Sequence, residues 1–163
     1  MRENRVRVRQ VVDWSAAVMA GLIAGTAFLL INIVVFESDY GGTAAIPIRY
    51  MASIVMGEDV LPPPATFETG VVIVGLLVHY VLSVFFALIL ALIIHRWGFL
   101  VGLVVGALFG LAIFAINIYT VTLIFPWFFV WNTPLFAIAH VVYGALAGGI
   151  YEGFEVEAYV PVE

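Results

Sequence analysis

The sequence predicts an all-α polytopic membrane protein, a bundle of four membrane-crossing helices. Three observations lead there. Of 163 residues, 64% are hydrophobic and 10% charged, with a mean hydropathy of +1.16. A water-soluble domain is about half apolar and about a quarter charged, so a chain this short has no way to hide its apolar surface from water. Four apolar runs, at about 14–36, 70–95, 98–125 and 131–151, each reach the roughly 20 residues that a helix needs to cross hydrocarbon. The third observation is charge placement. All six basic residues are arginines, and five fall on one side of this topology: Arg2, Arg5, Arg7 and Arg9 before the first run and Arg96 between the second and third. Arg49 alone lies on the other. That bias predicts a multi-pass membrane protein with both chain ends cytoplasmic.

The elements follow in order. Asp13 precedes the first run, where a carboxylate suits the positive end of a helix. A cleaved signal peptide would carry about 7–15 apolar residues; this run is longer, so an uncleaved first helix is expected. The outer loop, 37–69, holds Glu37, Asp39, Glu58, Asp59 and Glu68 and the stop Pro62-Pro63-Pro64. Within it, residues 44–57 place Ile48, Met51 and Val55 on one helical face and Arg49 and Ser53 on another. A short interfacial helix and a structured loop fit that pattern equally.

Thr69 is a candidate cap for the second helix. The His95-Arg96-Trp97 turn is so short that the second and third helices are expected to be antiparallel neighbours. Pro126 is expected to end the third helix, and the aromatic stretch after it to lie in the outer interface. Thr133-Pro134 reads as N-cap and first position of the fourth helix. Trp14, Trp97, Trp127 and Trp131 all fall at span ends, as headgroup anchors do. The acidic C-terminal tail, 152–163, reads as solvated; the rival reading docks it on a partner through Phe154, Val156, Tyr159 and Val160. The whole chain, 1–163, is a single membrane domain.

Glycines mark helix-packing faces. Gly98, Gly102, Gly106 and Gly110 recur every fourth residue in the third run, with Gly21 and Gly25 in the first and Gly144 and Gly148 in the fourth. In lipid, helices associate through close van der Waals approach rather than the hydrophobic effect, and such strips permit it. A duplicated hairpin is one explanation of two local matches. GLIAGTAF at 21–28 aligns with GLVVGALF at 102–109, and HYVLSVFF at 79–86 with HVVYGALA at 140–147. Chance among apolar letters is the other.

Four polar residues lie inside the spans: His79, His140, Asn32 and Asn117. Both histidines are expected in the outer half of the membrane, four residues before a small one, Ser83 and Gly144. Three readings stand. They are interhelical hydrogen-bonding glue, or His79 and His140 ligate a b-type haem, or a histidine and an asparagine bond the carbonyls of a quinone. With no cofactor, the first applies. Absent cysteines exclude thiolate metal sites and covalent c-type haem, and no basic patch points to nucleic acid. No catalytic motif or nucleophile–base pair is present, so no enzyme is expected. No deep carboxylate marks a coupled transporter, though a small transporter or channel remains an alternative.

The basic start, the loop IPIRYMASIVMGEDVLPP at 46–63 and LLVHYVLSVFFALILALI at 76–93 resemble those of small four-helix bacterial inner-membrane proteins. The resemblance implies architecture and no activity. The sequence thus points to a non-catalytic membrane subunit. Its expected partners are the lipid bilayer and other membrane protein subunits, with a respiratory assembly as the natural host.

Overall fold

The computed structural model describes residues 8–40, 43–61, 63 and 66–161. Arg2, Arg5, Arg7, Pro62, Pro64 and Glu163 lie outside the described residues. Among the described residues, five α-helices and a two-stranded ribbon are the main elements: β1 (Val8–Val11), α1 (Trp14–Tyr40), α2 (Ala45–Met56), α3 (Thr69–Ile94), α4 (Phe99–Tyr119), α5 (Pro134–Phe154) and β2 (Ala158–Pro161). Four stretches of the described residues are long and apolar enough to cross a membrane: Trp14–Val35, Thr69–Ile94, Phe99–Leu123 and Pro134–Phe154. The all-α four-helix bundle that composition and run length predict is what the chain forms.

Helix adjacency is set by small residues. α4 lies along α5, and the Cα atoms of Gly106 and Gly144 each face the other's carbonyl oxygen. Gly102 and Gly148 repeat the arrangement one turn along, and Gly110 faces the carbonyl of His140. Any Cβ on this strip would run into backbone. Such reciprocal approach brings Cα–H groups onto carbonyls, each contact contributing about 0.5–1 kcal/mol, besides the dispersion of two closely packed backbones. α1 meets α3 in the corresponding way: Gly21 faces Val84 and Ala87, and Gly25 faces Ser83 and His79. The aligned positions of the two sequence matches therefore make equivalent contacts, Gly25 on Ser83 beside Gly106 on Gly144.

Gly98 is a correction. It is not on the packing strip; nothing would touch a Cβ there. Its φ of 82° starts α4 from a left-handed backbone that L side chains rarely adopt. Adjacency of α3 and α4 is a second correction. Although joined by a four-residue connection, these helices barely touch, because α3 packs on α1 and α2 while α4 packs on α5. A short loop brings two helix ends together; it does not hold their faces.

The connection at 37–69 carries the short helix that is one of its two readings. Residues 45–56 form α2, yet the buried face is Ala45, Ile48, Arg49, Ala52 and Ser53. Val55, assigned above to the apolar face, is exposed. Arg49 is 4% exposed and forms a clasp: Nη1 donates to Val60 O, Nε to Thr66 O, and Nη2 to Thr66 Oγ1 and to Glu68 Oε1 at 2.7 Å. The guanidinium beside Glu68 holds that carboxyl below its usual range. Each of the three guanidinium nitrogens thereby has a hydrogen-bond partner, as burial of a charge demands.

Other boundaries shift by short distances. Glu68, not Thr69, is the N-cap of α3, and it makes no side-chain cap bond. α4 ends at Tyr119, ahead of Pro126, in a β-branched Thr120-Val121-Thr122 run where Thr122 Oγ1 bonds Ile118 O. Pro126 instead opens a 3-10 turn through Trp131. Thr133 caps α5 by accepting from Phe136 N at 3.2 Å, with Pro134 next. Trp14 and Trp97 are exposed at their ends, but Trp131 is buried in an aromatic cluster with Phe128, Phe136 and Ile118. Trp127 Nε1 donates to Ser53 Oγ and so ties this turn to α2.

The C-terminal segment is not a free tail. Residues Ala158–Pro161 pair antiparallel with Val8–Val11, Val11 opposite Ala158. Both described ends of the chain thus lie on one side of the bundle. Asp13 fixes the junction. Its Oδ1 accepts from Ser15 N, Ser15 Oγ and Ala16 N, capping α1, while Oδ2 accepts from Val156 N at 3.2 Å. These bonds hold the Asp13 carboxyl below its ordinary value.

Replacing Gly106 or Gly144 by Leu is expected to lower the melting temperature in detergent micelles sharply, overpacking costing about 1–3 kcal/mol or more where backbone must move. Gly70→Ala, which meets nothing within 4 Å, serves as the neutral control. Asp13→Ala removes a cap worth about 1 kcal/mol and is expected to speed amide exchange across 156–160. Because the folded carboxyl holds its proton less tightly than the unfolded one, its contribution is complete at neutral pH. It is lost only as acid carries the pH through the depressed folded value. Exchange rates of the ribbon amides measured down the acid range check this.

Candidate functional site

α3 and α4 stand apart, and the space between them is a cleft of about 280 Å³. His79, Leu82, Ser83 and Phe86 of α3 form one wall; Ile113, Asn117 and Ile118 of α4 form the other. Phe28 of α1 and Phe136, His140 and Tyr143 of α5 make the back. Met51 and Ile54 of α2, with Phe125 and Phe128 of the turn after α4, cover one end. Among the described residues no helix closes the remaining side, between α3 and α4, and the cleft is partly open rather than sealed. Aromatic and aliphatic groups dominate the lining, which is the usual make-up of a small-molecule site.

Local sequence explains how the polar groups face inward. Ser83 lies one turn after His79 on α3, and the small Gly21 and Gly25 of α1 let both reach backbone carbonyls. Ser83 Oγ donates to Gly21 O at 2.9 Å, and His79 Nε2 lies 2.9 Å from Gly25 O. A carbonyl only accepts, so Nε2 carries the proton and Nδ1 is a bare lone pair. Tyr143, one turn past His140, donates its hydroxyl to Ser83 O at 2.6 Å and joins α5 to α3.

His140 is fixed by the same logic. Its Nδ1 lies 2.9 Å from Phe136 O, so Nδ1 donates and Nε2 accepts. Asn117 Nδ2 is 3.3 Å from that Nε2 and supplies the proton, which orients the amide and turns Oδ1 away from the histidine. Phe28 sits between the imidazoles, stacked on His79 at 6.1 Å and edge-on to His140 at 4.7 Å.

Three of the four intramembrane polar residues singled out from sequence, His79, Asn117 and His140, line this cleft. Asn32 does not. Its Nδ2 donates to Phe28 O on its own helix, and the residue borders a separate void of about 20 Å³. Sequence reasoning missed Phe28, Ser83 and Tyr143 as wall residues. Phe28 was visible only as a matched position in the duplicated segments, and Ser83 also as the small residue four places after His79.

A bis-histidine haem does not fit these residues. Both nitrogens of His140 and Nε2 of His79 already make hydrogen bonds, and Phe28 fills the gap between the rings. A cavity of 150 Å³ holds one benzene, so about 280 Å³ holds a substituted ring and not a four-pyrrole macrocycle.

No family model, curated protein or solved structure matches the chain. Fold and site together define a multi-pass membrane protein whose helices enclose an apolar cleft with a small polar set.

Tyr143→Phe is expected to cost about 1 kcal/mol through the lost bond to Ser83 O. Phe28→Ala is expected to cost about 3 kcal/mol or more and to merge its own volume with the cleft. Thermal unfolding in micelles ranks the two; an order reversed from this one would contradict the wall assignment.

Proposed function

We propose that this chain is a non-catalytic membrane protein that takes an apolar, ring-sized molecule from the bilayer into the cleft between α3 and α4. The observation behind this reading is the cleft itself, almost wholly apolar, walled on three sides and without a helix on the fourth. Lipid faces that missing wall, so a ligand enters sideways and not through water. Binding is read here without chemistry, because the polar groups include no nucleophile paired with a base and no carboxylate.

In this reading the protein resides in a bacterial inner membrane. Its ends are cytoplasmic and α2 lies on the outer face, as the arginine bias supports. Pairing of β1 with β2 supports a common side for the two ends. Membership of a larger assembly is the alternative. It predicts that a neighbouring subunit's side chain occupies the cleft and that the protein purifies only with that subunit.

Two measurements test the proposal. Butylbenzene, a purely apolar ring, is expected to raise the melting temperature of purified protein, and Leu82→Trp, which fills the mouth, to abolish the rise. No shift in the parent protein overturns the binding reading. Topology is checked with single cysteines, since the chain has none. Glu58→Cys is expected to react with an impermeant maleimide added to intact cells, and Glu157→Cys only after lysis.

A further inference from the structure

We infer that the molecule held in the cleft carries a hydroxyl group, as a hydroquinone or phenol does, and is recognised through that hydroxyl and not through a carbonyl. This rests on the binding reading above and names its ligand class. The reason is the hydrogen-bonding capacity left over once the protein's own bonds are counted. His79 is 6% exposed; its Nε2–H is spent on Gly25 O, and Nδ1 makes no hydrogen bond. Ser83 has given its proton to Gly21 O and retains only lone pairs. Asn117 has one N–H on His140 Nε2, which leaves Oδ1 and the second N–H without a protein partner.

The unfilled set is therefore rich in acceptors, with one spare donor. A carbonyl ligand would bring a further acceptor to it and could satisfy only the Asn117 N–H. A methyl ether would satisfy no acceptor. A hydroxyl donates and accepts at once, and so meets both kinds of group. The orientations do not adjust to suit a carbonyl. Phe136 O fixes the tautomer of His140, His140 fixes the amide of Asn117, and Gly25 O fixes His79.

Size agrees with this assignment. At about 280 Å³ the cleft has nearly twice the volume that takes benzene, enough for a hydroxylated ring with small substituents and the first carbons of a tail. The gap between α3 and α4 lets the rest of the tail remain in lipid.

The experiment compares three ligands of one skeleton, decylhydroquinone, decylbenzoquinone and decylhydroquinone dimethyl ether, by titration calorimetry in micelles under reducing, neutral and neutral conditions respectively. The hydroquinone is expected to bind about tenfold more tightly than the quinone, and the ether more weakly than either. One net hydrogen bond in a desolvated site corresponds to about that factor. Asn117→Leu is expected to erase most of the preference for the hydroquinone over the quinone and the ether. Nitrogen-15 spectra of the histidine rings add a readout that needs no variant. His79 is expected to show the Nε2–H tautomer, with the Nδ1 resonance moving upfield when the hydroquinone is added.

Equal binding of all three ligands, or an unmoved Nδ1 resonance, overturns the hydroxyl assignment while butylbenzene binding still upholds the cleft as a site. Failure of butylbenzene overturns both. Decylphenol separates the sources of a hydroxyl. Binding equal to the hydroquinone supports recognition of one hydroxyl on any phenolic lipid, and clearly weaker binding supports a quinol with both hydroxyls engaged.

Discussion

The carbonyl oxygens of α5 rest against glycine Cα atoms of α4, and the rest of the structure follows from that approach. Within hydrocarbon, burying another leucine gains little, since lipid tails are as apolar as the side chain. What remains is contact at short range. Gly102, Gly106 and Gly110 on α4 and Gly144 and Gly148 on α5 remove the side chains that would keep two backbones apart. Gly21 and Gly25 do the same for α1 against α3. Two tight pairs result, and α1 against α5 joins them.

A consequence of that pairing is the gap. α3 and α4 are successive in sequence, yet each finds its close contact elsewhere, so the bundle lacks one of its possible walls. Large side chains around the gap, Phe28, Phe86 and Phe136 among them, prevent collapse. α2 and the aromatic turn after α4 then close one end. Arg49 anchors that cover through its bonds within the loop, and the cleft stays partly open. Both histidines there are held by backbone carbonyls in fixed tautomers, which sets the hydrogen-bonding character of the cleft.

At the opposite end, the ribbon and Asp13 gather both described ends of the chain. Tyr151 Oη lies 3.4 Å from Asp13 N and donates to Glu155 at 3.0 Å, while Gln10 reaches the same carboxylate at 3.3 Å. Glu155, which read as part of a solvated tail, is thus a partner for the beginning of the chain. The ribbon also ties α1 to α5, reinforcing the contact between the two helix pairs.

Hydropathy and length alone determined the four spans, because each crossing helix must satisfy its own backbone bonds inside one continuous segment. The Thr133-Pro134 cap and the glycine strips were equally legible, being local patterns at helical spacing. His79, His140 and Asn117 stood out for the same reason: a polar letter among apolar ones. Only the tertiary structure decided which helix each strip meets, that Asn32 stands apart from the other three, that Arg49 turns inward, and that β2 pairs with β1. Those outcomes join residues as distant as Gln10 and Glu155, and they depend on which surfaces fit most closely among several apolar faces of nearly equal composition. Periodicity tells where a face is; shape, and the hydrogen-bond partner opposite each polar atom, tell what it meets.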